Sequence, residues 1–324
     1  MKPKSIIISI VALVGLSSHD MFLKLDRYFL KPNAKVTVQL FNGTFDRSEN
    51  VIDRDRMSDV SVVTNGIRNN PESNDWFEQD NITFLNFETA EASTTVLGVS
   101  TLPSIIEMPG TDFNDYLKHD GVLDMLDERR KKDLLSFPAK ERYSKHVKTI
   151  VQVGDSKSED WKVNLGYPIE FIPLQNPYET KVGDSLSFNL LLRNKPLVNQ
   201  LVYFGNESYP MIHTHDGNTH AHKKNEEDRV LLPTPIRTDE NGILRIPIER
   251  EGVWYLKTIH MVNLDESNLT HESNWATLTF AIGKQQSGHN AHQENQISSY
   301  YIILSLIVMA LLFMFFNRQN KKGK

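Results

Sequence analysis

Residues 297–316 contain no charge, and an uncharged run of about 20 residues is what a helix needs to cross the hydrocarbon core of a bilayer. Tyr300 and Tyr301 stand where an interfacial aromatic anchor belongs. Arg318, Lys321, Lys322 and Lys324 follow, so the positive-inside bias puts a basic tail, 317–324, in the cytoplasm. At the other end, Met1-Lys2-Pro3-Lys4, an apolar run over 6–16 and Ser17-Ser18 carry the pattern of a secretory signal peptide over 1–18. The expected topology is a single pass through the cytoplasmic (inner) membrane with the main body extracytoplasmic, periplasmic if the host is Gram-negative. The body is roughly 260 residues, one large or two ordinary domains.

Within that body, short runs of alternating apolar and polar residues dominate. At 35–41, Val36, Val38 and Leu40 fall on one side and Lys35, Thr37 and Gln39 on the other, and the run stops at Asn42-Gly43. This period of two predicts a half-buried strand. Similar runs at 60–63, 82–87 and 94–99 predict an antiparallel sandwich. Over about 112–146 the composition shifts, with Asp124, Asp127, Glu128 and Arg129-Arg130-Lys131-Lys132 set among leucines and Met125. A helical insertion is expected there, broken at Gly121, reopened at Pro138 and carrying its charges on a solvated face. Strand character resumes at 148–153, 185–192, 201–204, 244–248, 253–259 and 275–280, with a turn at 238–242. The expected fold is mainly β: two immunoglobulin-like antiparallel sandwich subdomains, 19–154 and 155–283, with the small helical insertion. A flexible stalk, 284–296, leads to the C-terminal transmembrane helix.

There is no cysteine, hence no disulfide and no thiolate site. A net charge of −5 argues against a nucleic-acid partner. No Gly-x-Ser-x-Gly elbow, phosphate loop or His-Glu-x-x-His pair occurs, which removes the commonest catalytic frames.

The metal-ligand candidates are histidines. His213, His215, His220 and His222 flank an Asp-Gly turn. A two-residue corner at Asp216-Gly217 puts His213 opposite His220; one at Gly217-Asn218 puts His215 opposite His220 and His213 opposite His222. Either register sets all four rings on one face, with opposed Cβ atoms about 5 Å apart. The plain alternative is an exposed tip, flanked by Lys223-Lys224 and Glu226-Glu227-Asp228, that meets metal only incidentally. His19 is a different kind of ligand. Cleavage before it lets its imidazole and the new amino group chelate one ion; cleavage one residue earlier adds the intervening amide. His260, after the 253–259 strand, is either a further ligand or a core histidine satisfied by a neighbour. His119 and His146 read as surface residues of the helical part.

Several stretches resemble a family of exported bacterial proteins: Asp26-Arg27-Tyr28-Phe29-Leu30-Lys31-Pro32, Leu40-Phe41-Asn42-Gly43-Thr44-Phe45, Arg54-Asp55-Arg56-Met57, Glu141-Arg142-Tyr143-Ser144-Lys145 and Thr238-Asp239-Glu240-Asn241-Gly242. That family, a domain of unknown function, is similar to the substrate-specific accessory subunits of nickel-uptake transporters. The resemblance implies an all-β exported module whose mature start carries a histidine; only His19 maps onto that pattern. Together these features point to a membrane-anchored extracytoplasmic module without catalysis, capturing or sensing a divalent transition ion (nickel, cobalt, copper or zinc) in support of uptake. Its expected partners are the bilayer and a metal transporter or another envelope protein. The alternative is an envelope interaction protein that binds a protein or glycan, with the histidines incidental.

Overall fold

The computed structural model describes residues 19–208, 233–266 and 268–283, which belong to one compact unit. Outside them lie residues 1–18, expected as a signal segment, the histidine-rich stretch 213–222, the expected stalk 284–296, the apolar run 297–316 and the basic tail. No described helix is long and apolar enough to cross a membrane.

The chain is mainly β, with sheets packed face to face and two short helices. The central sheet runs in the order β15 (Thr234–Arg237), β14 (Leu201–Asn206), β17 (Gly252–Glu266), β18 (Leu269–Ile282), β10 (Ala139–Val153), β8 (Ser93–Thr101), β4 (Met57–Thr64) and β5 (Ile67–Asn69). Two more strands, β2 (Phe29–Leu30) and β9 (Ser104–Met108), pair with β10. A second sheet has the order β1 (Asp20–Lys24), β3 (Lys35–Gly43), β7 (Ile82–Glu88), β6 (Trp76–Gln79). In a third, β12 (Ser185–Leu192) pairs with β11 (Ile169–Pro173), β13 (Lys195–Pro196) and β16 (Ile243–Pro247).

The two expected sandwich halves are not separate, because β10 from the first and β18 from the second hydrogen-bond in parallel from Glu141↔His271 to Thr149↔Thr279. The reason is burial on both faces. Every residue from Lys145 to Val153 and from Trp275 to Ile282 is buried, so neither strand is fit to be a sheet edge, and each completes its ladder with the other.

Side chains alternate along a strand, so the central sheet presents two different faces. On the first, Val147, Val151, Tyr255 and Ala281 pack with Phe22, Val38 and Leu40 of the second sheet. Further along that face, Ile259 and Trp275 pack under α1 (Gly110–His119) and α2 (Leu123–Lys131). On the opposite face, Ile150, Leu256, Leu278 and Phe280 pack against Phe171, Leu186 and Phe188 of the third sheet.

The helical insertion is shorter than 112–146, and β10 begins at Ala139. The charges of 140–146 fall in the expected helical insertion, but Glu141, Lys145 and His146 are buried in the strand, as is Lys148 after them. In α1, Phe113, Tyr116 and Leu117 follow the i, i+3, i+4 spacing of one helix face and are buried. The break at Gly121, with φ +79°, is as expected. Arg130 and Lys132 lie on the solvated face of the charge run, but Arg129 is buried. Its guanidinium donates to the carbonyls of Leu134 and Phe137, both at 2.8 Å, and so closes the loop after α2.

Candidate functional site at the first strand

The first strand has one neighbour in its own sheet, β3, with Asp20↔Gly43 and Met21↔Asn42 in register. Its other edge would leave every second carbonyl unpaired, and buried carbonyls need partners. Side chains from the central sheet supply them. Lys145 Nζ donates to the His19 carbonyl, Thr277 Oγ1 to that of Met21 at 2.7 Å and Thr279 Oγ1 to that of Leu23 at 2.6 Å. The carbonyls of residues 19, 21 and 23 are thus caught in sequence by an ammonium and two hydroxyls.

Beside this row, Lys257 Nζ lies 2.6 Å from Asp20 Oδ2, both groups buried. Burial pulls the Lys257 ammonium down, but Asp20 and Asp120 push harder, and its pKa stands above the usual lysine value. Lys145 also donates to Asn42 Oδ1 at 3.2 Å and lies 5.1 Å from the Trp275 ring centroid. Burial outweighs Asp20 and Asp120 there and lowers its pKa to about 8. Asp120, in the loop after α1, is raised well above the carboxylate range by burial and by the Asp20 charge.

His19 Nδ1 lies 3.3 Å from Glu49 Oε2. Gly43 makes that approach possible. The chain doubles back after β3, and a Cβ on Gly43 would sit 2.9 Å from Glu49 N and closer still to Arg47 O. Glu49 N donates to the Asn42 carbonyl at 3.0 Å and fixes the return. The contact is that of an imidazole–carboxylate pair, and two donors bound cis on one transition ion at about 2.1 Å each would stand about 3 Å apart, a little closer than these two. Glu49 and Asp20 balance Lys145 and Lys257 in charge, so the surroundings do not repel a cation.

His260, the second of the expected ligands among the described residues, stands elsewhere. His260 Nδ1 is 3.0 Å from Gln200 Oε1, and burial, helped by Arg193, lowers its pKa. It points to the opposite face of β17 from Lys257, because the two are three residues apart in the strand. Among the described residues no group of three or more His, Asp or Glu side chains is arranged to hold a metal. His213, His215, His220 and His222 lie outside them. His119 is exposed at the end of α1, but His146 is a buried strand residue. Its Nε2 faces Asn274 Oδ1 at 3.3 Å, an acceptor, so Nε2 carries the proton and Nδ1 accepts from Ser100 Oγ at 2.9 Å. Burial lowers its pKa to about 4 and keeps it neutral.

The sequence profile of the family described as "Domain of unknown function (DUF4198)" matches residues 16–262. The chain belongs to that family. The match begins just ahead of His19 and takes in Glu49, Lys145 and Lys257, whereas Thr277 and Thr279, which complete the row of contacts on the first strand, lie beyond its end. Among curated proteins nothing matches. Among solved structures the chain is similar to the D0-D1 domain of Intimin, with 10% identity, 81% of this chain and 97% of that one covered, and a TM-score of 0.18. It is also similar to Salmonella alpha-2-macroglobulin, with 10% identity over 81% of this chain but only 15% of that one, and a TM-score of 0.19. The tandem Ig repeats of Dlar match at 10% identity over 80% of this chain and 99% of that one, with a TM-score of 0.16. At such scores these likenesses carry no argument about activity.

Proposed function

We propose that this DUF4198 member is a non-catalytic, membrane-anchored extracytoplasmic module that captures a divalent transition ion of the nickel or cobalt class in support of its uptake, as in the accessory subunits it resembles. The ion's seat is the start of the first strand. The observation that carries the reading is the His19–Glu49 pair at 3.3 Å, built where the chain is pinned rather than loose. Signal removal before His19 adds an amino group to the imidazole and carboxylate, which makes three donors of the kind such ions take. His260, on the other face of the sheet, is no part of this seat.

Calorimetry on the processed chain with nickel, cobalt, copper and zinc tests the reading. The first residue of the same sample is to be read by N-terminal sequencing. Binding is expected to survive deletion of 209–232, to disappear with His19→Ala and to weaken with Glu49→Gln. Heat that persists in His19→Ala would overturn it. Binding of every ion no tighter than that of a histidine-rich control peptide would return the chain to the alternative class, an envelope interaction protein for a protein or glycan.

A further inference from the structure

On the other face of the central sheet, away from His19, a cleft of about 430 Å³ opens between β10, β18, the loop before β11 and the β12–β13 hairpin. That volume suits a small molecule. Two arginines meet one carboxylate there. Arg142 donates through Nε at 2.9 Å and Nη2 at 2.5 Å to Glu272 Oε2, and Arg193 Nη2 donates to Glu272 Oε1 at 3.2 Å. Glu266 Oε1 lies 3.7 Å from Arg142 Nη2 as well, so Arg142 is held between two carboxylates and Arg193 is the cation left to meet a ligand. Arg193 is three-quarters exposed and makes a single contact to Glu272 from its five N–H donors.

The position of Arg193 is unusual. Leu192 and Lys195 are paired, so Arg193-Asn194 is a two-residue hairpin corner, with φ of 50° and 63°. Such corners favour Asn-Gly because both residues must be left-handed; an arginine there is held against its backbone preference. The corner is also tied down. Arg193 N donates to Pro168 O at 2.7 Å, and Asn164 Nδ2 donates to Asn194 Oδ1 at 2.9 Å. Behind the loop, buried Glu170 accepts from Lys148 Nζ at 2.7 Å and from the amides of Leu165 and Tyr167. The arginine is thus presented over the cleft by a lip that is already built. Ser144, Asn274 and Asn194 add hydroxyl and amide groups, while Pro103 and Pro168 add flat apolar walls.

We propose that this cleft binds a small carboxylate that also carries hydroxyl groups, the chemistry of a sugar acid, with Arg193 swinging from Glu272 to the ligand carboxylate. Arginine is suited to this role because its planar fork matches a carboxylate. The amide and hydroxyl side chains take the ligand hydroxyls. This inference is independent of the metal seat, which lies on the opposite face.

The test is calorimetric titration of the full chain in detergent with sodium glucuronate, glucose and sodium propionate at low and moderate salt. Saturable binding of glucuronate is expected, about tenfold or more tighter than glucose or propionate, and weaker at the higher salt. Arg193→Gln is expected to weaken it about tenfold, the scale of one charge-assisted hydrogen bond, with an unchanged melting temperature because the side chain is exposed. His19→Ala is expected to leave it unaltered. Absence of saturable glucuronate binding, glucose binding as tight as glucuronate, or an Arg193→Gln affinity equal to that of the unaltered chain would each overturn the proposal.

Discussion

Lys257 and Asp20, 237 residues apart in the chain, close a buried ion pair with Nζ 2.6 Å from Oδ2. It joins the first strand to the strand that carries the second half of the fold. Removing one partner leaves the other charge buried alone, at a cost of about 3–5 kcal/mol, whereas an apolar replacement of both is often neutral. Lys257→Met and Asp20→Leu are each expected to lose stability on that scale in urea denaturation, and the double variant to recover most of it. A double variant no more stable than either single one would show that the pair is not the cause.

The hydroxyls of Thr277 and Thr279 are expected to matter more than their size. Each serves a carbonyl on the free edge of the first strand, those of Met21 and Leu23. Thr→Val keeps the shape, removes the donor and strands a buried carbonyl, which costs about 1–3 kcal/mol per site. Thr→Ser keeps the donor at the cost of a methyl. Urea melts of the four single variants are expected to rank each valine below its serine counterpart; the reverse order would mean that packing, not the hydrogen bond, holds the strand.

Much of the strand pattern was legible in the sequence, and for a physical reason. The strands at 35–41, 82–87 and 244–248 alternate because they have one wet and one dry side. The β10–β18 pairing was not legible: both strands are buried on both faces, so their periodicity is lost, and parallel partners 130 residues apart leave no local mark. The same burial disguised Glu141 and Lys145 as surface charge, since their partners, Ser273 and the His19 carbonyl, come from distant parts of the chain. His19 stood out through its place after the signal pattern, but Glu49 did not, because only the fold-back at Gly43 brings it near. Arg193 had a faint signal, a two-residue gap between Leu192 and Lys195 with no glycine to fill it.

Glu141 sets a pH dependence whose sign follows from its burial. It is 1% exposed; Oε1 accepts from Tyr116 at 3.1 Å and from Ser273, and Oε2 has no hydrogen-bond partner among the described residues. Burial raises its pKa to about 7 against the pull of Ser273, Tyr116 and Lys145. Between roughly pH 4.5 and 7 the folded chain therefore keeps a proton that the unfolded chain releases, so this group takes stability away as pH rises, on the order of 3 kcal/mol across the window. His146 and His271 act the other way. Burial lowers each to about 4, so between about 4 and 6.5 the unfolded chain binds the extra protons and stability rises with pH. Asp120, raised by burial and the Asp20 charge, adds to the falling side, and His260, lowered by burial and Arg193, to the rising side, so the part due to Glu141 is read as the difference between parent and variant. In Glu141→Gln this falling contribution is lost, so between about 4.5 and 7 stability is expected to rise more steeply, or fall less steeply, with pH than in the parent. Urea denaturation at half-unit pH steps from 4.5 to 7.5 reads both slopes, and a variant profile that overlays the parent one would place the titration on some other group.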